Sequence, residues 1–169
     1  PTRDAANVIS IFSDAYNNVE VDYYNGFFNG DGQTTQGGTG PGGADLIVNG
    51  NGVINYTQLN FVGIGTFMNV PSIDATEMTH LHVDINVNEA IQPGDFIRLI
   101  LLNSVGDGET SGSFTINSNI LLQNTWLGLD IPLSSFNGLN DRSEIGLTFF
   151  VSDNTVSDIF VDNIYFFKN

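Results

Sequence analysis

The sequence predicts an all-β chain folded as an antiparallel β-sandwich, a jelly roll. Three observations predict it. Val, Ile, Thr, Phe and Tyr fill many short runs, and Gly, Asn, Asp and Ser punctuate them at regular spacing. Helix signals are nearly absent. The run Thr79–Val87, T-H-L-H-V-D-I-N-V, alternates strictly between apolar and polar residues, as a strand with one buried face must.

In chain order the strands are expected at Val8–Phe12, Asp45–Val48, Gly52–Phe61, Gly63–Phe67, Thr79–Val87, Asp95–Asn103, Phe114–Ile116, Trp126–Pro132, Glu144–Val151 and Asp158–Phe167. Their inward parities give a core of Leu81, Val83, Ile85, Leu99, Leu101, Leu129, Ile131, Ile164 and Phe166. A one-residue slip would expose these side chains, so their registers are well specified. Tyr23 to Gly43 breaks the pattern. This Gly/Asn-rich stretch reads as a long loop, functional or mobile, whose aromatic start anchors at least its first half.

The chain has 169 residues, enough for one domain with a sizeable core. It carries 19 acidic and 4 basic residues, a formal charge of −15. Such a field disfavours nucleic acid, anionic membranes and bulk polyanions. It suits cations, and Ca²⁺ is the one that carboxylates and carbonyls prefer; a high-salt habitat is another cause of the same excess. There is no cysteine, which excludes disulfides, thiolate metal sites and a cysteine nucleophile. No apolar run reaches membrane-spanning length, and no signal-peptide pattern is seen.

The polar parity of Thr79–Val87 holds His80, His82, Asp84 and Asn86, which include both histidines of the chain. Imidazole, carboxylate and carboxamide groups on one face suit a hydroxylated ligand. Arg98 lies in the middle of an apolar strand and needs a partner. That partner is Asp84 or another acid across the sheet, or else the sulfate or uronate of a bound polysaccharide. Tyr23, Tyr24, Phe27, Phe28 and Phe61 are the candidate rings for stacking on sugar faces, and Tyr24 and Phe28, beside the long Gly/Asn-rich stretch, are favoured among them. Trp126 is the only tryptophan. A zinc site on His80, His82 and Asp84 is disfavoured, because one extended strand does not close a tetrahedron and no third histidine exists.

Asp162 sits mid-strand among apolar residues, where an unpaired carboxylate is costly. A structural Ca²⁺ would offset that cost. Ser13, Asp14 and Asn18, at the exit of the first strand, would supply opposing oxygens beside backbone carbonyls. The alternative has Asp162 facing water or hydrogen-bonding a turn.

Several segments together resemble a known group. They are Pro1–Ala6, Ile9–Tyr16, Met78–Asp84, Asp130–Phe136 and Phe160–Phe167. As a set they look like a carbohydrate-binding module appended to polysaccharide-degrading enzymes of marine Bacteroidetes, related to the family 16 and family 4 modules. The resemblance covers most of the chain. It implies a jelly roll with a structural calcium, secreted or on the cell surface, monomeric, and excised as residues 1–169 from a larger enzyme. It also implies non-catalytic binding on the concave sheet of an algal or plant-type polysaccharide, such as a β-glucan, alginate or a sulfated galactan. Where such modules carry Trp-Gly-Gln, a strand Tyr and a further Trp, this chain has Phe27-Phe28-Asn29-Gly30, Asn60-Phe61 and Asn86.

The expected groove is lined by His80, His82, Asp84, Asn86 and Arg98, with Tyr24 and Phe28 as its wall. Two other classes remain. A glycosidase needs a pair of carboxylates across the bond, and strand-borne Glu pairs are absent. So are the Gly-x-Ser-x-Gly elbow and the His-Glu-x-x-His stretch. The enzymatic alternative is a small jelly-roll lyase using His80, His82, Arg98 and a tyrosine. The third class is a spacer or adhesion domain without a ligand.

Overall fold

The computed structural model describes residues 1–30, 32–38 and 45–169. Two antiparallel sheets pack face to face, the sandwich that the sequence predicts. The first contains β1 (Val8–Phe12), β3 (Thr34–Gln36), β4 (Leu46–Val48), β5 (Asn51–Thr57), β7 (His80–Val87), β10 (Leu127–Pro132) and β12 (Ile159–Phe167). Its order is β10-β7-β12-β5-β3, with β1 on the C-terminal half of β12 and β4 on β5. The second contains β2 (Tyr23–Phe28), β6 (Phe61–Gly65), β8 (Phe96–Asn103), β9 (Thr110–Asn117) and β11 (Ile145–Val151), in the order β2-β6-β11-β8-β9.

The core lies between the sheets. Leu81, Val83, Ile85, Leu99, Leu101, Ile131, Ile164 and Phe166 are all buried there, and Leu129 packs half-buried against them. Alternation in β7 and β8 is strict, with every second residue buried.

Three expectations about the elements need correction. Tyr23–Gly43 is not wholly a loop: its described part forms β2 and β3, while Asp31 and residues 39–44 lie outside the described residues. Gly52–Phe61 is not one strand. Gln58, at φ 50°, turns the chain between β5 and β6 and sends them to different sheets. The strand expected at Phe114–Ile116 extends over Thr110–Asn117, because Ser and Thr alternate along its outer side.

β2 is held by its flanks. The Asp22 carboxylate accepts from the backbone N–H groups of Phe67, Met68 and Asn69 at 2.7–2.9 Å. Burial works against its charge, yet these bonds prevail and hold the carboxyl below its ordinary range. At the other end the Gln33 side chain donates to the Phe28 carbonyl and accepts from Asn60 and Phe61 N–H. One amide thus fixes the facing edges of β2 and β6.

Candidate functional site

Two outer faces compete for a functional role. On the seven-stranded sheet, the polar parity of β7 meets β10 and β12 in rows: Asp130–His82–Tyr165 and Pro132–His80–Phe167. These polar groups engage one another. His82 Nδ1 lies 2.6 Å from Asp130 and Nε2 lies 3.1 Å from Asp84. Its ring stacks on Tyr165 at 4.7 Å, and the His80 ring stacks on Phe167 at 4.9 Å. Arg3 donates to Asp130 at 2.6 Å and lies 3.7 Å above the Phe167 ring. Tyr16 exchanges hydrogen bonds with the Arg3 backbone. An open pocket of about 290 Å³ remains beside them, walled by Pro1, Thr2, Arg3, His82, Asp84 and Tyr165, but the hydrogen bonds of His82 are already spent. Both imidazole nitrogens being used, the zinc reading finds no support, and no trio of His, Asp or Glu is placed for a metal among the described residues.

Burial disfavours the His82 imidazolium, but hydrogen bonds to Asp84 and Asp130 and their charges outweigh it, so its pKa is raised. Asp84 and Asp130, also opposed by burial, are lowered by His82 together with Asn163 and Arg3 respectively.

Of the residues expected to ligate calcium, Asp162 lies on β12 of the seven-stranded sheet, and Ser13, Asp14 and Asn18 follow the end of β1. Asp162 is 2% exposed and stands directly opposite Asp84 across the strands. Asn163, at φ 49° in a β-bulge, turns its amide between them and donates to both. Asn51 donates to Asp162 at 2.8 Å. Burial first, then the charges of Asp84 and Asp14, push the Asp162 carboxyl up. Asp14 accepts from Gly52 N–H. Asn18 instead ties Ser10 to Ser13, and Ser13 donates to Asn163. Chemically the set is all hard oxygen, the donor type that Ca²⁺ takes, and the charges of Asp84 and Asp14 bear on Asp162.

Arg98, Phe28 and Tyr24 do not join this face. Arg98 is on the outer face of the five-stranded sheet, so Asp84 is not its partner; Asp153 is, at 3.8 Å. Tyr24 is 4% exposed and points into the core, where its hydroxyl donates to the Ile11 carbonyl and its ring meets Phe12 edge-on. It walls no groove. A register shift between Tyr23 and Gly26 puts Tyr23, rather than Tyr24, on the outside with Phe28. The single groove expected from sequence is therefore divided between two sheets. Asn86 stays on the β7 face with its carbonyl oxygen buried and unpaired, and Trp126, 40% exposed, stacks on Phe160 at 6.4 Å.

The outer face of the five-stranded sheet is the second candidate. Its register gives three rows: Phe28–Phe61–Val151–Arg98–Thr115, Gly26–Gly63–Phe149–Ile100–Ser113 and Tyr23–Gly65–Leu147–Leu102–Ser111. Glycines stand where rings lie down. A β-carbon at Gly63 would come 2.8 Å from the Phe149 ring, and one at Gly65 would come 2.6 Å from the Tyr23 ring. Phe28, Phe61 and Phe149 form a mutual cluster with centroids 5.0–5.6 Å apart. Phe149 is buried beneath, while Phe28 is 39% exposed. Ser111, Ser113 and Thr115 supply hydroxyls along one edge. Rings with a polar rim are what stacking on a saccharide requires. Sequence reasoning passed over Phe149, Gln33 and the glycines, although Phe61-x-Gly63-x-Gly65 shows one parity.

No protein-family model and no curated protein matches the chain. Solved structures do match. The chain is similar to a family 30 carbohydrate-binding module at 18% identity and TM-score 0.64, covering 96% of this chain and 99% of that one. It is similar to the family 11 module from Clostridium thermocellum in complex with a beta-1,3-1,4-mixed-linked tetrasaccharide. That match has 20% identity and TM-score 0.52, over 82% and 85% of the two chains. A family 29 module matches at 14% identity and TM-score 0.50, over 94% and 83%. What is shared is the fold.

Because the pKa of His82 is raised, its contribution to stability is complete below the ordinary histidine value of 6.5. It is lost as pH rises through the raised value. Urea unfolding across this range should show wild-type stability falling with rising pH, and a flat profile for His82→Gln. Equal slopes in both proteins would contradict a stabilising role for the bonds of His82 to Asp84 and Asp130.

Proposed function

We propose that this chain is a non-catalytic carbohydrate-binding module whose ligand lies on the outer face of the five-stranded sheet. The observation that carries the proposal is the layer of rings over glycines, with Phe28, Phe61 and Tyr23 at its surface. Pyranose C–H faces pack on such rings, and the hydroxyls of Ser111, Ser113 and Thr115 serve the sugar's polar edge. The fold shared with carbohydrate-binding modules of families 11, 29 and 30 supports it. The motifs of the sequence extend the reading to a secreted module that delivers an attached enzyme to a polysaccharide of algal or plant type, in the manner of the family 16 and family 4 modules of marine Bacteroidetes. Affinity is weak, because exposed stacking and a few hydrogen bonds must overcome association entropy.

The test is affinity electrophoresis in gels containing laminarin, alginate, agar, carrageenan or mannan. Wild type should be retarded by at least one of them. Phe61→Ala should lose that retardation with a near-native melt, and His80→Ala should keep it. Retardation untouched by Phe61→Ala but lost in His80→Ala would return the ligand to the β7 face.

We also propose a structural Ca²⁺ bound at Asp162 and Asp14, where the β4–β5 hairpin meets β1 and β12. A cation there offsets the burial, and the lesser repulsion from Asp84 and Asp14, that raise the Asp162 carboxyl. Without one, that raised pKa means the fold loses stability as pH rises through the carboxyl range. Calcium should therefore raise the melting temperature over EDTA in wild type and leave Asp162→Asn unmoved. A wild-type melt indifferent to EDTA would refute the site.

A further inference from the structure

The geometry points to Arg98 as the residue that selects an acidic sugar, one bearing a carboxylate or a sulfate, on the ring-covered face. This inference rests on the proposed carbohydrate-binding role and deepens it. The chain has 19 acidic residues, yet none occupies the fifteen outward positions of the three rows, and one cation does. Arg98 shares its row with Phe61 and Phe28. Two strand spacings, about 10 Å, separate it from Phe61, within the reach of a disaccharide laid across the strands.

Arg98 is also poised rather than committed. Its guanidinium lies 4.8 Å over the Phe96 ring, and its Nε donates to Thr115 at 3.4 Å. Its ion pair with Asp153 is long, and the two side chains are 36% and 55% exposed. Pairs of that kind contribute little, so an incoming anion that accepts two parallel N–H bonds displaces Asp153 at small cost. The other arginines are occupied. Arg3 is bound to Asp130, and Arg142 donates to the Ala75 and Thr76 carbonyls. The net charge opposes a polyanion in bulk, but screening confines that repulsion to about 8 Å at physiological salt. At closer range the rows themselves present only Arg98.

Isothermal titration of wild type and Arg98→Gln with three oligosaccharides tests this: alginate (carboxylate), carrageenan (sulfate) and laminarin (neutral), with melts recorded alongside. Wild type should bind at least one acidic oligosaccharide more tightly than laminarin. Arg98→Gln should weaken that binding about tenfold or more while leaving laminarin affinity and the melt unchanged. Whichever acidic ligand responds identifies the anion. Laminarin binding with no acidic preference, or acidic binding indifferent to Arg98→Gln, overturns the inference and leaves the carbohydrate reading standing. Absence of binding to all three overturns the inference, and the carbohydrate reading falls with it only if none of the five gels retards the protein.

Discussion

The missing side chains of Gly63 and Gly65 are the constraint on which the ring-covered face depends. They sit at alternate positions of β6, on the parity of Phe61. A methyl group at either position would occupy space now filled by Phe149 or Tyr23. Their absence lets aromatic rings lie down on the sheet. Asp22 and Gln33 then fix the two ends of β2, so Tyr23 and Phe28 stay in register with β6. A flat apolar surface in a protein this acidic follows from those few backbone and packing choices.

The opposite face spends its polar groups on cohesion. His82 between Asp84 and Asp130, with Arg3 closing the network, binds the N-terminal segment to β7, β10 and β12. Next to it, Asp84 and Asp162 stand opposite one another, an arrangement that costs stability in a sheet. Asn163 relieves part of that cost by donating to both. The two sheets thus divide the labour. One concentrates charge and ties down the chain ends; the other keeps carboxylates off its outward rows and carries a single arginine.

Much of this was legible in the residues, and the limits have physical causes. Period-two alternation revealed β7, β8 and the core they bury, because each strand has one wet and one dry side. It could not say which sheet a strand joins. Arg98 and His82 both face outward, yet they stand on opposite sides of the sandwich. Tyr24 was misplaced because a register shift near Gly26 leaves no mark in the sequence, and a single shifted residue exchanges inside for outside. The stretch Tyr23–Phe28 hid a strand among glycines, which lower strand propensity but are required where rings pack on backbone. β11 gave a signal that was not used: its outward residues Leu147, Phe149 and Val151 are all apolar, which marks an outer face covered by something other than water, and all seven residues of the strand are buried.

The most direct measurement is amide chemical-shift mapping of ¹⁵N-labelled protein titrated with an oligosaccharide that it retains. The account predicts perturbations concentrated in β2, β6, β11 and β8, around Phe28, Phe61, Phe149 and Arg98, with His80–Asn86 unmoved. Perturbations centred on His80–Asn86 and Tyr165, with the five-stranded sheet silent, would contradict it.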